Sequence, residues 1–341
     1  MMKKILLIQT GGTIAMQAQL DGVVLDPDRW SNQLYKQIPS LNKIANIDVE
    51  PLFFEDSSDL HSYHWDSLLN LIQYKYAKYD GFVILHGTDT MAYTASALSF
   101  GINGLDKPVI LTGSQVPLSG IRSDAQRNLI NSVEIATSNL PEVAICFNDR
   151  VYRGNRATKM SVGDFDAFAT PNYPSLADIG LDIDFHKKNW LSSSTDFLTN
   201  GPSFHSGFSG NILVLTIHPG FQNNQLDSIS LKDIDAIIIR AYGSGNFPIK
   251  GEYSWIPFLS RCKDNDLITV ITSQANYDAV NLKNYTAGKT ALDLGVLSSG
   301  DMTLEASITK LMWLISAHQN THESNVRIAT GFQENLRGER S

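Results

Sequence analysis

Short, continuous apolar runs constrain this chain more than any other feature of its sequence. They fall at residues 5–8, 82–86, 108–112, 143–147, 212–217, 236–240 and 267–271, and each stops at glycine or a small polar cluster. A strand with one wet face alternates apolar and polar residues. A strand covered on both faces does not alternate, and continuous runs of this kind belong to parallel sheets. Between the runs lie helical patterns at 64–78, 90–102, 123–137 and 303–317. The first places Trp65, Leu68, Leu69, Ile72 and Tyr76 at spacings of three and four, and the third opens on Ser123-Asp124, which suits a helix N-terminus. Strand–helix alternation predicts an α/β fold with mainly parallel sheets.

A chain of 341 residues can bury a large core and is expected to split into two domains. The polar stretch from Leu191 to Phe208 reads as a linker, with an irregular segment before it from Asp164 to Asp184 that holds Pro171 and Pro174. The expected boundaries are 1–190, a linker at 191–209, and 210–341. A net charge of −8 argues against a nucleic-acid or anionic-membrane partner, because both need a basic footprint. The start, Met1-Met2-Lys3-Lys4, resembles a secretory signal, but the apolar core behind it is about four residues where roughly 7–15 are needed. No stretch approaches the ~20 apolar residues of a membrane span. Cys146 and Cys262 stand in apolar or helical settings and read as packed thiols, so a cytoplasmic location is expected.

In open α/β sheets, ligands bind beyond the carboxyl ends of the strands. Four strand ends carry unusual polar chemistry: Thr10-Gly-Gly-Thr13, His86-Gly-Thr-Asp-Thr90, Thr112-Gly-Ser-Gln115 and Tyr242-Gly-Ser-Gly-Asn246. In a parallel sheet these turns are expected along one edge. A phosphate loop and the dinucleotide fingerprint are both absent, and the histidines show no ligand spacing, so neither a cofactor nor a metal is expected. His86 reads as a structural histidine.

What remains is attack by a hydroxyl, which needs a neighbour to take its proton. Thr13 fits the nucleophile, because its β-methyl restricts the direction of its oxygen. Backbone N–H groups of the glycine-rich turns fit an oxyanion hole, typically worth about 3–4 kcal/mol per donor. From these residues alone the turn at Thr13 is equally an ordinary strand-to-loop connection. Lys159 is open to two readings as well. It is a base whose proton is loosened by Arg153 and Arg156, or a lysine that is solvated or paired with a carboxylate.

The ordered set of motifs narrows the choice. Thr10-Gly-Gly-Thr-Ile14, Asp56-Ser-Ser-Asp59, Gly81-Phe-Val-Ile-Leu-His-Gly-Thr-Asp-Thr-Met-Ala-Tyr93, Tyr152-Arg-Gly-Asn-Arg-Ala-Thr-Lys159, Asp164-Phe-Asp-Ala-Phe168 and Gly300-Asp-Met-Thr303 occur in that order. The chain resembles the bacterial-type L-asparaginases, specifically their cytoplasmic type I group, over nearly its whole length. The resemblance implies hydrolysis of L-asparagine to L-aspartate and ammonia through an acyl-threonine, with Thr13 as nucleophile and Thr88, Asp89 and Lys159 as a second catalytic group. It implies that Asp56, Ser57 and Ser58 form the segment that grips the substrate's α-carboxylate, and that Asp89 holds its α-ammonium. It also implies a larger N-terminal and a smaller C-terminal domain, and a homodimer or homotetramer in which Asn246 serves the neighbouring subunit's site.

Two positions depart from the family pattern. Val23 stands where family members carry a tyrosine in the loop after the nucleophile, and the next tyrosine is Tyr35. Arg240 matches the arginine of an allosteric asparagine site, but Ala275 falls where its cysteine would be. Two other readings are carried forward: a non-catalytic amino-acid-binding or regulatory homologue, and the asparaginase-like subunit of a tRNA-dependent amidotransferase. The second ranks low because the first strand begins within a few residues of Met1 and the chain is acidic.

Overall fold

Ile5 and Leu7 face one side of strand β1 (Lys4–Gly11), Leu6 and Ile8 face the other, and all four are fully buried. The continuous runs are therefore strands, covered on both faces in every case but the run at 212–217, which is only partly buried at the edge of its sheet. The computed structural model of the chain covers residues 2–12, 36–191, 201–319 and 323–341. Two units are distinguished, Met1–Ser206 and Gly207–Ser341.

In the first unit β1 is followed by β2 (Asn46–Glu55), helix α1 (Ser62–Lys75), β3 (Gly81–Leu85), α2 (Met91–Gly101), β4 (Val109–Thr112), α3 (Ala125–Ala136), β5 (Val143–Phe147), β6 (Arg150–Arg153), β7 (Ala177–Ile179) and β8 (Ile183–Phe185). Among the described residues these strands form one sheet in the order β8-β7-β6-β5-β4-β3-β1-β2. From β2 to β5 every pairing is parallel, while β6, β7 and β8 are added antiparallel. Leu129 and Val133 of α3 pack with Ile5, Leu7, Val83, Leu85 and Ile110 on one face. On the helices α1 and α2, Trp65 Nε1 donates to Thr94 Oγ1 at 3.1 Å and ties the two together.

The second unit repeats the principle with β9 (Ile212–Thr216), β10 (Ala236–Ala241), β11 (Ile268–Ser273) and β12 (Leu297–Ser298), all parallel in that order. The consecutive isoleucines of β10 serve two cores. Ile237 and Ile239 pack with Trp255, Phe258 and Leu259, whereas Ile238 packs with Leu311, Leu314 and Phe332. The four helical patterns read from the sequence are all present, the last as α6 (Leu304–His318), which follows α4 (Ile256–Asp264) and α5 (Thr286–Asp293).

Two features depart from the sequence reading. Asp164 to Asp184 is not wholly irregular: it holds Phe168–Ala169, which pairs antiparallel with Thr158–Lys159, as well as β7 and the start of β8. Within the stretch read as a linker, Ser203–Phe204 pairs antiparallel with Ile102–Asn103 of the first unit.

A buried ion pair pins the end of the chain. Lys310 on α6 is inaccessible to solvent, and its ammonium donates to Phe332 O at 3.0 Å, to Glu334 O and to the equally buried Glu339. Glu339 also accepts from Leu336 N and Arg337 N. Removing one member strands the other charge in the interior, a loss of about 3–5 kcal/mol, whereas an apolar pair of similar volume restores most of it. Urea unfolding should therefore find Glu339→Ala less stable by about that amount, with a much smaller loss for Lys310→Met combined with Glu339→Leu. Equal losses would show that packing volume, rather than the stranded charge, sets the cost.

Candidate active site

Glycine backbones let four chain segments meet at the carboxyl edge of the first sheet. The parallel register sets Gly11 opposite Glu55, Gln9 opposite Leu85, and Leu85 opposite Thr112, so these strand ends lie level. Gly12 has φ +80°, a conformation glycine adopts without strain, and a Cβ placed on it would stand 2.4 Å from Gly87 N. A Cβ on Gly87 would stand 2.5 Å from Ser57 Oγ, and one on Gly113 2.3 Å from His86 O. Three of the four strand-end turns expected on one edge are thus found together. The fourth, Tyr242 to Asn246, ends β10 in the sheet of the second unit.

Ser57 is buried and opens a short 3-10 turn, Ser57–Asp59. Asp56 caps that turn, accepting from Ser58 N at 2.9 Å and Ser58 Oγ at 2.8 Å. The backbone N–H and then the hydroxyl of Ser58 hold the Asp56 carboxyl below its ordinary value. Thr90 Oγ1 donates to Ser57 O at 2.7 Å and fastens the turn to the segment after β3.

His86 lies beneath this edge with no exposed surface. Its Nδ1 is 2.6 Å from Gly87 O, which only accepts, so Nδ1 carries the proton. Nε2 then accepts from Thr94 Oγ1 at 2.8 Å, and Thr94 in turn accepts from Trp65. The ring is a neutral hydrogen-bonded element of the scaffold, as its sequence setting suggested.

Lys159 reaches the edge from the two-stranded ribbon, in which it pairs with Phe168, a buried residue stacked edge-on against Phe147. Its ammonium donates to Thr88 Oγ1 at 2.8 Å and to Asp89 Oδ1 at 2.6 Å. Lys159 thus has a carboxylate partner in Asp89. Arg153, invoked as a like-charged neighbour, is turned into a buried two-pronged pair with Glu142 at 2.7 and 3.1 Å. Both Arg153 and Arg156 lie over the Tyr173 ring. Thr88 also meets Gln115, whose Oε1 is 3.3 Å from Thr88 Oγ1. In the sequence Gln115 stands only as the end of a turn. The side chain that brings it to Thr88 leaves no periodic or spacing signal.

Thr88, Asp89 and Lys159 therefore form one cluster, and Ser57 stands beside Gly87. Thr13, Val23 and Tyr35 lie outside the described residues, and Gly12 is the last described position before them. Arg240 and Asn246 belong to the second unit. Asn246 closes a tight turn with Tyr242 through backbone bonds of 2.7 and 2.8 Å. Arg240 accepts from Gln274 Nε2 through its carbonyl at 2.9 Å, while its buried Nε meets no hydrogen-bond partner among the described residues. No helix among the described residues is long and apolar enough to cross a membrane.

The fold and the cluster define a two-domain α/β protein whose site is built from hydroxyls, a lysine and a carboxylate on a glycine-packed sheet edge. Family models make this specific: that for the asparaginase N-terminal domain matches residues 4–191, and that for the glutaminase/asparaginase C-terminal domain matches residues 211–326. The chain belongs to the asparaginase family. It is 38% identical to L-asparaginase 1 of Escherichia coli strain K12 over 99% of this chain and 98% of that protein. It is 31% identical to a glutamyl-tRNA(Gln) amidotransferase component of Pyrococcus abyssi over 96% of this chain and 76% of that one. The crystal structure of L-asparaginase I from Vibrio cholerae superposes with a TM-score of 0.88 at 35% identity, covering all of both chains. The type I resemblance read from the ordered motifs is borne out.

Two outcomes follow from this packing. A methyl at Gly12 meets backbone, which no rotamer relieves, so Gly12→Ala should cost at least about 2 kcal/mol in urea unfolding. An unchanged midpoint would mean the turn re-forms elsewhere. Burial, partly offset by the Gly87 carbonyl, holds the His86 imidazole down to about 4 against an ordinary 6.5. The unfolded chain therefore binds the extra proton first as pH falls. The stability due to neutral His86 is complete above about 6.5 and is lost towards 4, on the order of 3 kcal/mol in all. Unfolding at pH 7, 6 and 5 should show a steeper decline for the wild type than for His86→Gln; parallel declines would refute the assignment.

Proposed function

We propose that this chain hydrolyses L-asparagine to L-aspartate and ammonia through an acyl enzyme on Thr13. The observation that carries the reading is the single cluster of Lys159, Thr88 and Asp89 on the edge to which Gly12 delivers the chain. The sequence similarity to proteins named L-asparaginase supports it throughout the chain. In this reading Thr13 Oγ attacks the side-chain amide carbon, the C–N bond breaks, and the protonated nitrogen leaves as ammonia. Water then cleaves the ester and releases aspartate. Thr88 and Lys159 handle the protons, since a threonine hydroxyl is a poor nucleophile without a partner. With Val23 in place of the family's tyrosine, that duty rests more heavily on them.

Asp89, whose side chain is 64% exposed and thus within reach of a solute, binds the α-ammonium. Ser57, in the turn ordered by Asp56 and Ser58, binds the α-carboxylate. A zwitterion needs donors at one end and an anion at the other, and this division supplies both. The reading extends to the assembly: a cytoplasmic homodimer or homotetramer, with Asn246 completing the neighbour's site and Arg240 at an allosteric one. Residues 191–209 join the two domains, in keeping with family matches that end at 191 and begin at 211.

A second reading, a protein that passes ammonia to a tRNA-dependent amidotransferase, draws on the likeness to the Pyrococcus abyssi component. Purified protein alone decides between them. Free release of ammonia from L-asparagine is expected. It should vanish in Thr13→Ala and fall by roughly 10²–10⁴-fold in Lys159→Met, the range for loss of a positioned acid or base. Release that survives Thr13→Ala would overturn the nucleophile. Binding without product, seen by calorimetry, would favour a regulatory homologue.

A further inference from the structure

The loop after β4 carries more hydrogen bonding than a connection needs. One carboxylate, that of Asp124, accepts from Gln115 N at 3.0 and 3.1 Å, from Val116 N at 3.1 Å and from Asn128 Nδ2 at 3.0 Å. Asn128 Nδ2 also donates to Gly113 O at 3.0 Å, and Ser123 Oγ to Val116 O at 3.1 Å. The backbone on both sides of Gln115 is thereby fixed, and its side chain leaves from a rigid base.

That side chain has a definite orientation. Gln115 Nε2 donates to Asp164 O at 3.0 Å, and a carbonyl cannot donate in return, so the amide is not free to flip. Its Oε1 consequently faces Thr88 Oγ1, and since an amide oxygen only accepts, the Thr88 proton points to Gln115. Lys159 then donates to a lone pair of the same hydroxyl. The bonds run one way, from Lys159 to Thr88 to Gln115. The separation of 3.3 Å between Thr88 and Gln115 exceeds the ~2.8 Å common for O–H···O, as resting catalytic bonds often do before substrate closes the site.

We propose that Gln115 is a positioning residue that sets the direction of the Thr88 hydroxyl and so determines when Thr88 and Lys159 exchange a proton. The proposal rests on the reading of Thr88, Asp89 and Lys159 as the proton-handling group. Gln115 acts through Thr88. Asp124 acts one step further back, by holding the backbone of Gln115. Among the described residues, the charged groups in contact with the relay or its loop include Asp89 against Lys159, Asp124 behind the loop, and Asp164, which offers its main chain.

Two substitutions separate this role from a structural one. Gln115→Leu removes the acceptor for Thr88 and the donor to Asp164 O. Gln115→Glu keeps an acceptor for Thr88 but loses the amide donor. With asparagine as substrate, Gln115→Leu should lower kcat about tenfold while KM stays within about threefold, and Gln115→Glu should recover most of kcat. If Gln115 serves only to tie the loop to Asp164, both variants suffer alike, and that result would overturn the proposal. A readout independent of turnover is the ¹³Cε signal of Lys159, assigned with Lys159→Arg. At fixed pH its chemical shift should move in Gln115→Leu and return towards the wild-type position in Gln115→Glu, because the hydroxyl it faces is released in the first variant and held in the second. An unmoved signal would refute the positioning role even in a protein that proves inactive on asparagine, while a wild type that releases no ammonia would refute only the proposed activity.

Discussion

The approach of Gly12 to Gly87 is the contact on which the site depends. It is backbone against backbone, closer than any side chain allows, and Gly87 in turn lies against Ser57. Contacts of this kind cannot be relaxed by rotamer changes. They fix where the chain leaves β1, where it leaves β3 and where the Asp56-capped turn begins. The parallel register brings these ends level, and the glycines turn level ends into one surface. A site assembled from loops alone would have to hold the same geometry against the flexibility of each loop.

The charged groups divide by what folding requires of them. Arg153 with Glu142 and Lys310 with Glu339 are buried pairs whose loss strands a charge, so their geometry is enforced by stability. Lys159 and Asp89 are different. Asp89 is well exposed, and an exposed carboxylate contributes little to stability by pairing. Nothing in the core requires Lys159 to end at Thr88. Its ribbon, anchored by Phe168 on Phe147, delivers it there all the same. Stability alone does not call for that arrangement, and the proposed proton-handling role does.

Much of this was legible in the sequence, for reasons that differ by element. Strands β1, β3, β4, β5, β10 and β11 announced themselves because burial on both faces leaves a run without alternation. Strand β2 did not. It is an edge strand with no buried residue, interrupted by Asp48, Glu50 and Pro51, so the same criterion passes over it. The antiparallel strands β6, β7 and β8 are three or four residues long, too short to show a period. At the site, Thr88, Asp89 and Lys159 were visible as motif residues. Their mutual contact was not, because Lys159 is 71 residues from Thr88 and is positioned by a ribbon only two residues wide. The partner of Arg153 was hidden for a related reason. Proximity in sequence ignored Glu142, which reaches Arg153 from the neighbouring strand's end.

His86 shows why a neutral side chain sits beneath so polar an edge. A charged imidazole would carry a proton on Nε2, and Thr94 would then have to stop donating to it while still accepting from Trp65. Kept neutral, the ring donates through Nδ1 to Gly87 O and fixes that carbonyl. A trans peptide holds its C=O and N–H on opposite sides. Pinning the Gly87 carbonyl towards His86 therefore turns the N–H of Thr88 away from the ring. One buried histidine thus sets the peptide on which the Thr88 side chain stands, while Lys159 and Gln115 set the hydroxyl. Thr88 is held through its backbone from below and through its oxygen from two sides, and each constraint comes from a different segment of the chain.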